Sequence, residues 1–214
     1  MSPSTENNRE GLHGLYVIID PEVTRGRDEI DIARQAIEGG ARVIQWRDKA
    51  REKGTQLPMA QALRPLCREL DALFFVNDHV DLALAVGADG VHLGQKDLPV
   101  GVVRRFVPPD MLIGCSTNNP DEARRAEADG ADYVSVGRLF PTGSKQDTRP
   151  ATLDTLRAVK ATVSIPVCAI GGINEQNIDE VIAAGADMVS VIGAVTAAGD
   201  VREAARRLAH RSRV

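Results

Sequence analysis

One short phrase occurs four times along the chain and constrains the fold more than any other feature of the sequence. The copies are GARVIQW, GADGVHL, GADYVSV and GADMVSV, and they begin at Gly40, Gly87, Gly130 and Gly185. Each copy follows a segment with helical periodicity, and a glycine at that place is a common stop signal of a helix. The short apolar run after it is typical of a buried strand. Each copy therefore predicts a junction at which a helix ends and a strand begins.

Further short apolar runs lie before the first copy and between consecutive copies, which brings the number of predicted strands to eight. The strands are predicted near Leu15, Val43, Leu73, Gly90, Met111, Tyr133, Pro166 and Met188. Helical patterns, several of which open with Asp, Thr or Asn, lie at residues 28–38, 60–70, 80–86, 121–128, 152–161, 174–184 and 201–211. Eight strand–helix units in about two hundred residues favour the α/β class and a (β/α)8 TIM barrel. A doubly wound sheet is the alternative, and the strand count disfavours it.

Composition and chain organisation fit this architecture. Only 3% of the residues are aromatic, whereas 43% are apolar, so we expect a core of small and β-branched side chains rather than rings. No linker or change in composition divides the chain. We therefore expect a single domain over residues 12–214, preceded by a disordered N-terminal tail over residues 1–11.

Charge and cysteine content exclude several classes of function. The 26 basic and 30 acidic residues give a net charge of −4, which argues against a nucleic-acid partner. Cys67, Cys115 and Cys168 are far apart and lack metal-ligand spacing, so we expect buried thiols in a cytoplasmic compartment. The first residues are polar and no run of about eighteen apolar residues occurs, so we expect no membrane partner. The oligomeric state stays open.

Polar side chains gather where the predicted strands end, which is the face on which TIM barrels build their sites. After the second strand, Gln45, Arg47 and Lys49 alternate along an extended segment, so their side chains share one direction. Solvated charges at a strand end are the alternative for an isolated pair of cations. The polar groups that follow the other strands at the same rim favour a site.

Asp78 and Asp97 follow neighbouring strands, so we expect their carboxylates to approach each other across the rim. Two close carboxylates repel each other unless a cation lies between them. Mg²⁺ suits such a site because it prefers oxygen ligands and is often completed by substrate phosphates. The alternative for each residue is a helix cap, and Asp78 stands just before the helical pattern at residues 80–86.

Features that suit phosphate lie on the other side of the same rim. The segment PTGSK, residues 141–145, combines a glycine, two hydroxyl groups and the cation of Lys145. Gly171, Gly172 and Gly193 follow the seventh and eighth strands, where barrels commonly bind phosphate on backbone N–H groups. A surface turn and tight chain reversal are the alternatives. Cations with a metal on one side and backbone donors on the other indicate two phosphorylated ligands.

Some polar residues remain without a role. His92, in GVHLG, is more typical of a hydrogen-bonded core residue than of a base. Tyr16 is explained equally well as a buried ring or as a residue of the site. Asp20 is explained equally well as a turn residue or as a residue of the site. Residues 51–58, REKGTQLP, are polar and contain Gly and Pro, which predicts a mobile segment.

Six segments in order resemble the thiamine phosphate synthase family over nearly the whole predicted barrel. They are QWRDK (45–49), ND (77–78), DGVHLGQKD (89–97), CS (115–116), FPTGSKQD (140–147) and AIGGI (169–173). The resemblance implies a Mg²⁺-dependent transferase of thiamine biosynthesis. Its expected substrates are 4-amino-2-methyl-5-hydroxymethylpyrimidine diphosphate and 4-methyl-5-hydroxyethylthiazole phosphate, and its expected products are thiamine phosphate and diphosphate.

The resemblance also implies a role for individual residues. It makes Asp78 and Asp97 the Mg²⁺ ligands. The implied catalytic residues are Arg47, Lys49, Ser116 and Lys145. The implied substrate contacts are Gln45, Trp46, Arg47, Asp48, Lys49, Asn77, Ser116 and Lys145 for the pyrimidine diphosphate, and Thr142, Gly143, Ser144, Gly172, Ile192 and Gly193 for the thiazole phosphate.

Two positions depart from the family pattern. Gly193 stands where the family usually has Ser, so one hydrogen bond to the phosphate, worth on the order of 1 kcal/mol, is missing. Arg138 stands where Pro is common, and the sequence alone gives it no function. The alternatives are a thiazole tautomerase of the same superfamily, a phosphate-binding isomerase of amino-acid biosynthesis, and a non-catalytic protein that binds thiamine intermediates. Asp78, Asp97 and Lys145 argue against the tautomerase.

Overall fold

The structure, a computed structural model, describes residues 11–143 and 149–212. Its strands form a closed barrel in which each strand pairs in parallel with the next one along the chain, and the last pairs with the first. The predicted TIM barrel is therefore confirmed, and the doubly wound sheet is excluded. Residues 1–10 of the predicted tail, together with Ser144 and Lys145, lie outside the described residues.

The strands occur where the apolar runs predict them. They are β1 Gly14–Ile19, β2 Val43–Trp46, β3 Leu73–Asn77, β4 Gly90–Leu93, β5 Leu112–Thr117, β6 Tyr133–Val136, β7 Val167–Ile170 and β8 Met188–Val191. The helices are α1 Pro21–Thr24, α2 Glu29–Glu38, α3 Lys53–Glu69, α4 Val80–Val86, α5 Val100–Val103, α6 Pro120–Ala128, α7 Leu153–Lys160, α8 Ile178–Ala183, α9 Gly193–Thr196 and α10 Val201–Arg211. Among the described residues, no helix combines the length and the apolar character that crossing a membrane requires.

Polar caps set the start of several helices. Asp28, Thr152 and Asp200 each accept a hydrogen bond from a backbone N–H in the first turn of α2, α7 and α10. Such a cap stabilises a helix by about 1 kcal/mol because the first N–H groups have no partner within the helix. The bounds of these helices agree with the sequence patterns within one residue.

Two helices differ from their predicted bounds. α3 begins at Lys53, so most of the predicted mobile segment at residues 51–58 is helical. Gln56 explains this start, because it is buried and its amide nitrogen donates to the carbonyl oxygens of Asp48 and Arg51. α8 begins later than predicted, since the Asn174 N–H donates to the Asn177 side chain at 2.9 Å and forms a turn.

The repeated phrase forms the junctions between helices and strands. Its first residues, Gly40, Gly87, Gly130 and Gly185, all have a positive φ, between 61° and 108°. A side chain would be strained in this conformation, so the glycine lets the chain leave the helix and turn into the strand.

The aspartates of the last three copies tie neighbouring strands together at these junctions. Asp89, Asp132 and Asp187 accept hydrogen bonds from the N–H groups of Phe74, Ile113 and Val167, at 2.8, 2.8 and 2.7 Å. Each carboxylate also pairs with a cation from the helical segment before that neighbouring strand, namely Arg64, Arg104 and Lys160 in turn. The aspartates that precede β4, β6 and β8 thereby bond to the beginning of β3, β5 and β7, respectively.

The core has two layers, and only one of them has the predicted composition. The layer between barrel and helices is mostly Ala, Val, Ile and Leu, as expected. The inside of the barrel is different, because the rings of Tyr16, Phe75 and Tyr133 meet there with centroids 5.7–6.1 Å apart. The expectation of a core without rings is therefore wrong for the barrel interior.

Glycines on two strands make room for these rings. A Cβ atom at Gly114 would lie 2.1 Å from Cζ of Tyr133, and one at Gly90 would lie 2.3 Å from Cε1 of Phe75. Real Cβ atoms do not approach other atoms so closely, so any larger residue at these positions would displace the ring.

We predict that Gly114→Ala destabilises the protein by about 1–3 kcal/mol, because overpacking a rigid interior forces its neighbours apart. Gly54→Ala is the matched control: a Cβ there meets nothing within 4 Å, and the residue lies in α3. This change should stabilise the protein by about 0.5–1 kcal/mol. Urea unfolding followed by circular dichroism measures both. Equal unfolding free energies for Gly114→Ala and wild type would contradict the packing described here.

Candidate active site

A cavity of about 1350 Å³ opens at the end of the barrel where the strands finish. The residues singled out in the sequence that line it are Arg47, Lys49, Asn77, Asp78, Asp97, Ser116, Thr142, Gly143, Gly172, Ile192 and Gly193. They come from the ends of seven different strands, β2 to β8, and from the loops that follow them. The structure thus brings together side chains that are distant in sequence, at the face where barrels of this kind carry their sites.

Trp46 and Asp48 are turned away from this cavity, which contradicts a side-chain contact of either residue with a ligand bound there. Trp46 is 1% exposed and packs in the outer core, with the guanidinium carbon of Arg51 5.4 Å from its ring centroid. Asp48 accepts hydrogen bonds from the N–H groups of Ala50 and Arg51, both at 3.0 Å. The cause is the alternation of an extended segment, which sends residues 46 and 48 to the opposite face from residues 45, 47 and 49.

Arg47 is fixed by a buried ion pair. Its Nη1 pairs with Oδ2 of Asp20, whose other oxygen accepts the N–H of Glu22 at 3.0 Å and caps α1. Asp20 therefore positions the guanidinium of Arg47 at the cavity as well as forming a turn. The Nε of Arg47 is buried without a hydrogen-bond partner among the described residues.

Asp78 and Asp97 lie side by side, with Lys49 against the first of them. Burial would raise the pKa of Asp78, but the hydrogen bonds with Lys49 and Asp97 outweigh it and lower this pKa below its usual value. Burial and the adjacent Asp78 carboxylate raise the pKa of Asp97. The hydrogen bond from the Gly94 N–H, at 2.7 Å, lowers this pKa but does not outweigh them. The two carboxyl groups thus lie against each other and against a single lysine.

Local backbone geometry holds this pair. Asp78 has a φ of 61°, in the left-handed region, and its N–H donates to the carbonyl of His92 at 2.8 Å. The cap position of α4 is His79, without a side-chain bond, so the alternative of Asp78 as a helix cap is not supported. A Cβ at Gly94 would lie 2.9 Å from Oδ2 of Asp97, so glycine lets this carboxylate fold back onto the end of β4.

A chain of hydrogen bonds crosses the floor of the cavity from β2 to β5. The Gln45 amide nitrogen donates to the Tyr16 hydroxyl at 2.7 Å, and this hydroxyl lies 3.1 Å from that of Tyr133. The Tyr133 hydroxyl lies 2.8 Å from Nδ1 of His92, whose Nε2 lies 2.9 Å from Oγ of Ser116.

Only the first bond of this chain has a defined donor, the Gln45 amide nitrogen. Each tyrosine hydroxyl has one proton and two acceptor lone pairs, so either hydroxyl can donate in the bond between Tyr16 and Tyr133. The donor and acceptor roles of the two ring nitrogens of His92 depend on its tautomer. His92 is a buried, hydrogen-bonded residue, as the sequence predicts. Sequence reasoning did not place Tyr133 in this network, and Gly114, which leaves room for the Tyr133 ring, is the signal that marks it.

The far side of the cavity offers backbone donors. Gly172 has a φ of 67°, and a Cβ there would lie 2.6 Å from the Pro141 carbonyl oxygen. Over residues 11–143 and 149–212, the N–H groups of Gly172, Gly193 and Ala194 donate to no protein acceptor. Thr142 and Gly143 lie beside them in the cavity lining. These groups are able to surround a small anion.

The cysteines are buried and chemically quiet. Burial, together with nearby carboxylates, raises the pKa of Cys67 to about 12 and that of Cys115 to about 11, and burial also raises the pKa of Cys168. The three thiols are therefore protonated at neutral pH and unsuited to act as nucleophiles.

We predict that iodoacetamide at pH 8 labels none of the three cysteines in the folded protein within an hour and all three in urea. The reason is that a raised pKa leaves little thiolate at this pH, and burial denies access. Mass spectrometry counts the labels. Rapid labelling of Cys115 in the folded protein would contradict this placement.

Comparisons with known proteins identify relatives over most of the chain. The family profile of thiamine monophosphate synthase matches residues 15–195. Thiamine-phosphate synthase of Moorella thermoacetica is 50% identical over 195 residues, covering 91% of this chain and 93% of that protein. The same enzyme of Methanoculleus marisnigri is 52% identical over 200 residues, covering 93% and 95%.

Solved structures give the same result. Thiamine phosphate pyrophosphorylase from Pyrococcus furiosus matches with a TM-score of 0.86 and 46% identity, covering 94% of this chain and 95% of that one. A 3-hexulose-6-phosphate synthase matches with a TM-score of 0.67 at 18% identity, a likeness of fold alone.

Proposed function

The chain belongs to the thiamine monophosphate synthase family, and from this membership we propose how its residues perform the reaction. The protein is a transferase of thiamine biosynthesis that forms thiamine phosphate. The proposed substrates are 4-amino-2-methyl-5-hydroxymethylpyrimidine diphosphate and 4-methyl-5-hydroxyethylthiazole phosphate. One observation carries the proposal: the cluster of Arg47, Lys49, Asp78 and Asp97 faces, within one cavity, the free backbone N–H groups of the β7 and β8 loops. The relatives decide for the synthase over the tautomerase and the isomerase.

The residues near β2, β3 and β4 fit a divalent cation. The cluster of Arg47, Lys49, Asp20, Asp78 and Asp97 contains three carboxylates and two cations, so a diphosphate alone would be repelled there. Asp78 and Asp97 offer the oxygen ligands that Mg²⁺ prefers, and phosphate oxygens and water would fill the other positions. In the described part of the chain, no group of three or more acidic, His or Cys side chains forms a metal centre, which agrees with a site of few protein ligands. When bound, Mg²⁺ supplies positive charge that stabilises the departing diphosphate.

The protein side chains stabilise the charges that develop as the bond breaks. The bond between the pyrimidine methylene carbon and the diphosphate oxygen breaks, and the electron pair leaves with the diphosphate. Arg47 and Lys49, with Lys145 from outside the described residues, act on that negative charge. Asn77 lines the same cavity at the end of β3 and contacts the same substrate.

The floor of the cavity orients the pyrimidine ring. Gln45 and Ser116 end the hydrogen-bond chain described above, and the Ser116 O–H donates to a ring nitrogen. His92 has both ring nitrogens engaged, so it acts through Ser116 rather than as a base. The chemistry needs no nucleophile from the protein, because the thiazole nitrogen attacks the methylene carbon itself. The main contributions of the barrel are then to position the two substrates and to stabilise the charge on the leaving group.

The thiazole phosphate occupies the opposite side. Its phosphate accepts hydrogen bonds from the backbone of Gly172, Ile192 and Gly193 and from the segment at residues 142–144. This arrangement aims the thiazole ring across the cavity at the pyrimidine. The reaction belongs in the cytoplasm, where the free thiols stay reduced.

We predict that the purified protein converts the two substrates to thiamine phosphate and diphosphate in the presence of Mg²⁺ and loses this activity in excess EDTA, with recovery when Mg²⁺ is restored. The physical reason is the excess of carboxylates at the diphosphate site. Mass analysis of the products, with each substrate omitted in turn, is the measurement. No product with fresh substrates, or an unchanged rate in EDTA, would overturn the proposal.

We predict that Asp78→Asn and Lys145→Ala each lower kcat by at least about 10²-fold, as expected for groups that stabilise charge in the transition state. Asp81→Asn is the matched control, because this aspartate is exposed, pairs with Lys53 and does not line the cavity. It should retain a rate within about twofold of wild type. Circular dichroism first checks that each variant is folded, and steady-state kinetics then measures kcat. A near-normal kcat of Asp78→Asn or Lys145→Ala would contradict the role assigned to that residue.

A further inference from the structure

Arg138 is a cation at the cavity that the reaction described above does not use. It follows β6, and its backbone is anchored by hydrogen bonds from its N–H to the Arg149 carbonyl at 3.1 Å and from the Ala151 N–H to its own carbonyl at 2.9 Å. It lines the cavity and is half-buried. The segment that carries Arg138 is therefore held in place at the cavity.

The position of Arg138 is on the side of the thiazole phosphate. A Cβ built at Gly171 would lie 2.9 Å from Cγ of Arg138, so the aliphatic stem of Arg138 lies directly over this glycine. The next residue, Gly172, provides a free N–H group. Arg47 and Lys49 follow β2, on the other side of the barrel.

The guanidinium of Arg138 meets no acceptor in the part of the chain that the structure describes. The other arginine of this rim is different, since Arg149 forms two hydrogen bonds with the Glu122 carboxylate at 2.8 and 2.7 Å. Arg138 is half-buried, and its guanidinium lies near free backbone donors. A phosphate group suits this place, because a guanidinium can bind it through two parallel hydrogen bonds.

We propose that Arg138 binds the phosphate of the thiazole substrate and selects the phosphorylated thiazole over the free alcohol. The inference rests on the proposed placement of the two substrates. At this site Gly193 offers only a neutral backbone N–H, whereas Arg138 offers a charged donor. The charged donor is the stronger one, since hydrogen bonds to charged groups are roughly twice as strong as neutral ones.

The test uses three variants of the full chain. Arg138→Met keeps the stem that packs over Gly171 and removes only the charge. Arg138→Lys keeps a charge. Arg105→Met is the matched control, because Arg105 is exposed and lies away from the cavity. Steady-state kinetics gives the KM of each substrate and kcat, and isothermal titration calorimetry measures binding of the thiazole phosphate and of its free alcohol.

For Arg138→Met we expect a KM for the thiazole phosphate raised 10- to 100-fold, and a KM for the pyrimidine diphosphate and a kcat within about threefold of wild type. Arg138→Lys should lose less than Arg138→Met, and Arg105→Met should match wild type. In calorimetry, Arg138→Met should weaken binding of the phosphate ester and leave binding of the alcohol unchanged.

The proposal is overturned if Arg138→Met leaves the KM and the affinity for the thiazole phosphate within twofold of wild type. It is also overturned if both substrates are affected equally, which would indicate a general distortion of the loop. Failure of the proposed reaction is seen separately, because a wild-type protein without turnover still shows by calorimetry whether binding of the thiazole phosphate depends on Arg138.

Discussion

The carboxylates of Asp89, Asp132 and Asp187 at the helix–strand junctions are the interaction on which the barrel depends. Each of them accepts a hydrogen bond from an N–H at the beginning of the preceding strand and pairs with a cation from the segment before that strand. Such charge-assisted bonds contribute about 1.5–3 kcal/mol each and define how far one strand is shifted against the next. This shift reaches the other end of the barrel, where the pairing of Asn77 with His92 sets Asp78 beside the loop of Asp97.

The limited width of the barrel interior determines which side chains form the floor of the site. Both tyrosines of the chain lie inside it, and the glycines on β4 and β5 leave just enough room for Phe75 and Tyr133. Burial raises the pKa of Tyr16 and of Tyr133, so both hydroxyls remain neutral donors. The same crowding that closes the core therefore holds the hydrogen-bonded side chains between Gln45 and Ser116 in place. A ligand meets a floor whose side chains are already fixed, which lowers the cost of ordering them when it binds.

Sequence reasoning reached the fold and the rim because both follow from local rules. Positive-φ glycines stop helices, and loops after parallel strands meet at one end. It failed where side-chain direction or distant contacts decide. Including Trp46 and Asp48 in the QWRDK contacts ignored the alternation that aims Arg47 inward, and the buried Gln56 made a helix from a segment that contains Pro58. The partnership of Tyr133 with His92 joins residues 41 apart in sequence, so no local pattern reveals it.

The two sides of the cavity differ in how they can bind an anion, because the charged groups around them differ. Near β2 to β4, Arg47 is paired with Asp20, and Lys49 is paired with Asp78. Asp97 adds a further carboxyl group, which is why we propose that a diphosphate binds at this side together with a divalent cation. Near β6 to β8, the described residues offer neutral N–H groups and the guanidinium of Arg138, which is why we propose that a phosphate binds there without a metal. The net charge of −4 is therefore no obstacle to two anionic substrates, because local pairing rather than total charge sets the field that each one meets.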